Sequence, residues 1–181
     1  MLFDNAAIKN HFRRIEKNWD ERDFIWRHAG NALQDRLLDI KRGFASAAEI
    51  GLKRLVLTPE FCAQKTIGQA LHVSCLEHDT LLPFQPQSLD LIVSLNHLHW
   101  VEDLPGMLIQ MRRALKPDGL LLFSLIGGET LYELRNAMAA AESETMHGIS
   151  PRVSPFAQLQ DMAALLQRAG FALPVADNEI L

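Results

Sequence analysis

Two histidines and a tryptophan, His97, His99 and Trp100, directly follow the apolar run SLDLIVSL at residues 88–95. Imidazole titrates near neutral pH, so a histidine at the mouth of a site can serve as a general base. The alternative is that His99 and Trp100 pack beneath the next helix. Ser94 and Asn96 offer hydrogen bonds where the run opens, their backbone groups included. Gly127-Gly128-Glu129 follow a second apolar run, LLLFSL. Glycines there let backbone pass close to a ligand, although a tight turn before a helix needs them equally. Arg152, in SPRVSPF, can meet a substrate carboxylate or a backbone carbonyl. Tyr132, Arg135 and His147 fall in segments that would cap a pocket.

The elements that must position these groups are legible from periodicity. Trp26, Ala29, Leu33, Leu37 and Ile40 recur every three or four positions and predict an amphipathic helix over residues 22–42, ended by Gly43. FASAAEIG predicts a short strand ending at Glu49 to Gly51, and LKRLVLTPE a second one stopped by Thr58 and Pro59. Residues 60–70 read as helix and LHVSC, 71–75, as a weak strand. SLDLIVSL is a strand covered on both faces, with Asp90 its only charge. A helical stripe of Leu104, Met107, Leu108, Met111, Ala114 and Leu115, a turn at Pro117-Asp118-Gly119 and the LLLFSL strand complete a β-α-β unit. Helices follow over Thr130 to Glu144, with Leu131, Leu134, Ala137 and Ala141 inward, and over Pro155 to Arg168, with Phe156, Leu159, Met162, Leu165 and Leu166 inward. Gly170 caps the second, and FALPV begins a last strand.

This alternation predicts an α/β fold, a Rossmann-like, doubly wound and mostly parallel sheet in a single domain over 1–181, with an N-terminal helical segment at 1–43. Ligands of such sheets bind beyond the carboxyl ends of the strands, where strand order reverses. The chain stops six residues after FALPV. The sheet edge would then be left open, to be covered by a helix, a C-terminal hairpin, a protein partner or a second copy.

Composition narrows the classes. With 181 residues, 48% hydrophobic and 22% charged, the chain can bury a real core. A net charge of -4 makes no field for nucleic acid. Cys62 and Cys75 form neither a CxxC nor a ligand-spaced group, so reduced thiols and a cytoplasmic location are expected, with no metal. No run approaches a membrane span, and MLFDNAAIKN has no signal-peptide core. Lys9 to Lys17, with Arg13 and Arg14, reads as a solvated helix face because Glu16, Asp20 and Glu21 follow.

Three stretches, LPFQPQSLDLIVSLNHLHWVEDLP, RRALKPDGLLLFSLIGGETLYELR and SPRVSPFAQLQDMAALLQRAGFALPV, cover roughly residues 82–176. In them the chain resembles the class I S-adenosylmethionine-dependent methyltransferases, and within these the subgroup of the malonyl-carrier-protein O-methyltransferase of biotin synthesis and the complex I assembly arginine hydroxylase. LHWVEDLP joined to GGETLYELR is narrow to that subgroup. The resemblance implies the class I fold, here truncated at the C-terminus. It implies S-adenosylmethionine as cofactor and methyl transfer to a carboxyl group or a protein side chain. A small molecule or a protein would be the acceptor. A relative that has lost catalysis and acts as a protein-binding or assembly module is the other reading.

The family holds its cofactor with a glycine-rich turn after the first strand, an acid ending the second and an acid after the third. A glycine removes the Cβ barrier, and a carboxylate accepts both hydroxyls of a vicinal diol. Here Glu49 and Gly51 match the start of the first motif, but Leu52-Lys53-Arg54 stand where more glycines belong, and about a dozen residues of the usual crossover are missing. Aligning VLTPE with the end of the family's second strand puts Val56 at the ribose-binding acid, with Glu60 as the nearby substitute. His78 stands at the adenine-binding acid, with Asp79 or Glu77 one residue away. The expected cofactor contacts are therefore Glu49, Gly51, Glu60, His78, Asp79, Ser94 and Asn96. His97 and His99 are the catalytic candidates, and Trp100, Gly128 and Arg152 the substrate contacts.

Overall fold

The computed structural model describes residues 4–16, 18–53, 55–74, 81–145 and 148–180. They form two compact units, one up to Leu125 and one from Ile126. The first begins with helices α1 (Asn5–Glu16), α2 (Trp19–Arg22) and α3 (Phe24–Asp39). Strand β1 (Phe44–Ile50), helix α4 (Pro59–Lys65), strands β2 (Ile67–Val73) and β3 (Leu89–Leu95), helix α5 (Leu104–Ala114) and strand β4 (Leu115–Ser124) follow.

Among the described residues the strands make one sheet in the order β2-β1-β3-β4, every pair parallel. The order in which successive strands are laid down reverses between β1 and β3, so the switch point lies at the carboxyl ends of those two strands. The alternation of side chains divides the strands. Ala47, Leu91, Val93 and Leu95 join Leu33 and Leu37 of α3 and Phe61 and Cys62 of α4 in one apolar cluster. Ala48, Ile50, Ile92 and Ser94 point the other way and are also fully buried, as expected of a doubly wound sheet. The α3 stripe behaves as its spacing predicts, with Trp26, Ala29 and Ile40 packed against the same cluster. Asp90, at the amino end of β3, accepts bonds from the Ser46 amide and hydroxyl and from Lys116 Nζ at 2.8 Å. The Lys116 ammonium holds its carboxyl below the usual carboxylate range.

Several elements differ from the sequence expectation. LKRLVLTPE is not a strand: residues 51–53 and 55–58 are loop, with Val56 and Leu57 driven into the core. Thr58 instead caps α4, its hydroxyl accepting the Phe61 N–H, with Pro59 opening the helix. That helix stops at Lys65 because Thr66 turns left-handed at φ 61°, and β2 starts at Ile67, four residues before LHVSC. Pro117-Asp118-Gly119 is a bulge within β4, between the pairs Leu89–Leu115 and Leu91–Leu120.

The second unit holds α6 (Tyr132–Thr145) and α7 (Leu159–Arg168). Met162 and Leu166 of α7 are buried, whereas Leu159 is exposed. On α6 the expected inward set is reversed: Leu131, Leu134, Ala137 and Ala141 are all exposed, and Glu142 is the buried position. Gly170 closes α7 as expected, at φ 87°, its N–H donating to Gln167 O while Phe171 N–H reaches Leu166 O, the paired bonds of a Schellman cap. FALPV forms no strand, and Leu173 and Val175 lie exposed.

Candidate functional site

Glu49 is the penultimate residue of β1, its side chain fully buried on the α3 and α4 face. A buried carboxylate needs several donors. Glu49 finds them in the loop that follows: Oε1 accepts the N–H of Leu55 at 2.8 Å and Val56 at 3.0 Å, and Oε2 that of Leu57 at 2.8 Å. Gln34 of α3 donates to Val56 O at 2.8 Å, fixing the same turn from the other side. The loop is therefore folded around its own strand's acid. This overturns the placement of Val56 at the end of the second strand. That position belongs to Val73 and Ser74, because β2 pairs with β1 through Ile50–Val73.

At the switch point Gly51 and His97 are neighbours. A Cβ on Gly51 would sit 3.8 Å from His97 Cβ and 3.9 Å from Leu95 O, so the missing side chain leaves a small recess between the ends of β1 and β3. Asn96 leaves β3 at φ 44°, a left-handed conformation that asparagine tolerates. Its N–H reaches Ser124 O at 3.1 Å, and its Oδ1 accepts from Ser124 Oγ at 3.0 Å, tying β3 to β4. Ser94 is fully buried, its hydroxyl without a hydrogen-bond partner among the described residues. His97 and His99 are buried, and the His99 ring lies 4.9 Å from that of half-buried Trp100. Burial, reinforced by the neighbouring His97, lowers the His99 pKa to about 4. His99 is accordingly neutral at pH 7 and a weak base.

Beside this switch point opens a cleft of about 420 Å³, lined by Lys9, Phe12 and Arg13 of α1, Trp19 of α2, Leu52 and Lys53 after β1, and Ser74 after β2. Its volume is that of a small-molecule site. Lys53 Nζ stands 4.6 Å from the centre of the Trp19 ring. Lys9, Phe12 and Arg13, spaced i, i+3 and i+4, share one helix face. The basic segment thus helps to line a cleft as well as meeting solvent, which the charge pattern alone had concealed.

The expected site residues divide by place. Glu49, Gly51, Ser94, Asn96 and His97 come together at the ends of β1 and β3, with His99 and Trp100 in the short turn of 3-10 helix that follows. Glu60 is exposed in the first turn of α4. His78 and Asp79, with Glu77, and His147 lie outside the described residues. Gly128 and Arg152 belong to the second unit. There Gly128 N–H donates to Ala157 O and Gly128 O accepts from Arg135, while Arg152 pairs with Glu142, which also accepts the Ser150 N–H.

Residues 43–123 match the family model described as a methyltransferase domain. The chain is similar to the mitochondrial arginine-hydroxylase NDUFAF5 of Mus musculus, at 35% identity over 92% of this chain and 56% of that protein. It is also similar to a malonyl-[acyl-carrier protein] O-methyltransferase of Methylovorus, at 29% identity over 98% and 67% respectively. It therefore spans little more than half the length of the first of these relatives. Its fold is that of an S-adenosylmethionine-dependent methyltransferase from Thermotoga maritima, with a TM-score of 0.59 at 17% identity over 89% of this chain and 80% of that one. No helix among the described residues is long and apolar enough to cross a membrane. Residues 43–123 thus carry a match to a methyltransferase domain, and the parallel sheet they build has the class I Rossmann-like fold.

Proposed function

We propose that the chain binds S-adenosylmethionine at the carboxyl ends of β1 and β2 and transfers its methyl group to a carboxyl group or a protein side chain. The observation that carries this reading is the cleft itself, because it opens where the two strands that bear the family's cofactor contacts end. Lys9, Arg13 and Lys53 fit the cofactor's carboxylate, Phe12 and Leu52 offer apolar surface, and Gly51 leaves room beside His97. The ribose end fits less well. Ser74, with one hydroxyl, follows β2 where the family has a carboxylate, and the amides of Leu55 to Leu57 are already bound to Glu49. The cofactor would supply an electrophilic methyl on sulfur, so positioning rather than proton transfer is the main demand on the protein. His97 and neutral His99 would shape and dry the acceptor side, and Ser94 would offer its buried hydroxyl.

Calorimetry of the full chain with S-adenosylmethionine and S-adenosylhomocysteine tests the reading. Saturable binding, weakened when Gly51→Val fills the recess, is expected. No heat at about millimolar ligand, a floor for any useful site, would sink it.

A second reading is favoured by the loop folded onto Glu49 and by the absence of an acid among the described cleft residues: a protein-binding or assembly module without turnover. Methyl transfer from labelled cofactor to a carboxyl or protein acceptor would decide against it. The exposed apolar residues Leu134 and Met138 of α6, with Leu131 just before it, would suit a protein partner or a second copy. We retain the cytoplasm as the proposed location on the cysteine usage, although the mouse relative is named mitochondrial; cell fractionation distinguishes the two.

A further inference from the structure

We infer that the cleft between α1, α2 and the loop after β1 is a site for a phosphate-bearing small molecule. The inference rests on charge and on one orphaned donor, and it assigns a second class of ligand to the cleft that the cofactor reading uses. Lys9, Arg13 and Lys53 bring three cations to the lining, and none of the described lining residues is acidic. S-adenosylmethionine offers these cations a single carboxylate, the contact used in the proposed function. A phosphate carries up to two negative charges and three acceptor oxygens, which matches several N–H donors around one centre.

The second observation is Trp19. It is 6% exposed and lines the cleft, yet its indole N–H has no hydrogen-bond partner among the described residues. Indole nitrogen is a donor only, and a buried donor without an acceptor is costly. Lys53 Nζ lies over the same ring, so an acceptor reaching Trp19 would also meet an ammonium. The Ser74 hydroxyl can donate as well, and Phe12 and Leu52 give apolar surface on which a flat ring attached to the phosphate could lie.

Phosphate chemistry could come from the free ion or from a phosphoryl group on a larger molecule, and three probes separate them: inorganic phosphate, adenosine 5′-phosphate and adenosine, each titrated into the full chain. Adenosine 5′-phosphate is expected to bind saturably, inorganic phosphate to compete with it, and adenosine to bind at least about tenfold more weakly, the effect of losing roughly one charge-assisted contact. Raising the salt should weaken the phosphate probes and spare adenosine. Should inorganic phosphate bind as tightly as the nucleotide, the ligand is the free ion at the same site. Trp19→Phe keeps the ring and removes the donor, and Lys53→Met removes the cation; each should weaken phosphate binding several-fold while circular dichroism and melting show an intact fold. The inference is overturned if neither phosphate probe saturates by about 10 mM. It is equally overturned if adenosine matches its phosphate, or if both folded variants bind as the parent does. S-adenosylmethionine titrated in parallel separates the two readings: saturable binding of it with no phosphate binding overturns this inference alone, and phosphate binding without it overturns the cofactor reading alone.

Discussion

At the scale of single residues, Glu49 determines the local architecture. A carboxylate removed from water must recover several hydrogen bonds, and the nearest donors are the amides six to eight residues ahead, at Leu55, Val56 and Leu57. Satisfying it pulls the loop back across the end of β1 and seats Val56 and Leu57 in the core. Glu49→Gln preserves the shape but turns one acceptor oxygen into a donor facing N–H groups. It should lose about 2–4 kcal/mol of stability, measured by urea unfolding, because a charge-assisted bond is replaced by an unsatisfied pair. A change under about 0.5 kcal/mol, the level of an ordinary surface substitution, would show that the carboxylate does not hold the loop.

At the scale of elements, the sheet depends on close backbone approach between β1 and β2. A Cβ added to Gly68 of β2 would lie 2.6 Å from Ala45 O, a backbone atom that cannot swing aside. Gly68→Ala should therefore displace the edge strand despite alanine's lower backbone entropy cost, lowering stability by about 1–3 kcal/mol. The measurement is a melting curve with amide exchange, which should show faster exchange in β2 than in β3. Unchanged β2 protection would mean that the strands adjust freely.

At the scale of the whole molecule, buried imidazole makes stability depend on pH. The His99 pKa is lowered from 6.5 to about 4, first by burial and then by His97. Between those values the unfolded chain binds a proton that the folded chain refuses, so stability rises with pH across that window. It is complete above pH 6.5 and falls as the pH drops toward 4, by on the order of 3 kcal/mol in total. Urea unfolding between pH 7 and 5 should show the decline, and His99→Gln should flatten it. An equal slope in that variant would assign the effect to other groups. The titrating site sits in the first unit, where the sheet and its apolar cluster lie. Much of the second unit's apolar surface, along α6 and around Leu173 and Val175, faces solvent.

Local pattern alone determined the parallel sheet, the α3 stripe, the β3-α5-β4 unit and the Gly170 cap, because each depends on residues close in sequence or on an apolar period that needs no partner to be recognised. The convergence of Glu49, Gly51, Ser94, Asn96 and His97 was likewise legible, since strand ends in a doubly wound sheet meet at the switch point. Tertiary structure alone decided the rest. LKRLVLTPE has the apolar content of a strand, and only the buried acid of β1 makes it a loop. Lys9 and Arg13 read as solvated surface until α1 and α2 are placed beside Lys53 and Ser74. The apolar stripe of α6 has a helix's period whether or not anything covers it. Periodicity records which residues share a face, whereas what that face meets is settled by contacts between segments far apart in the chain.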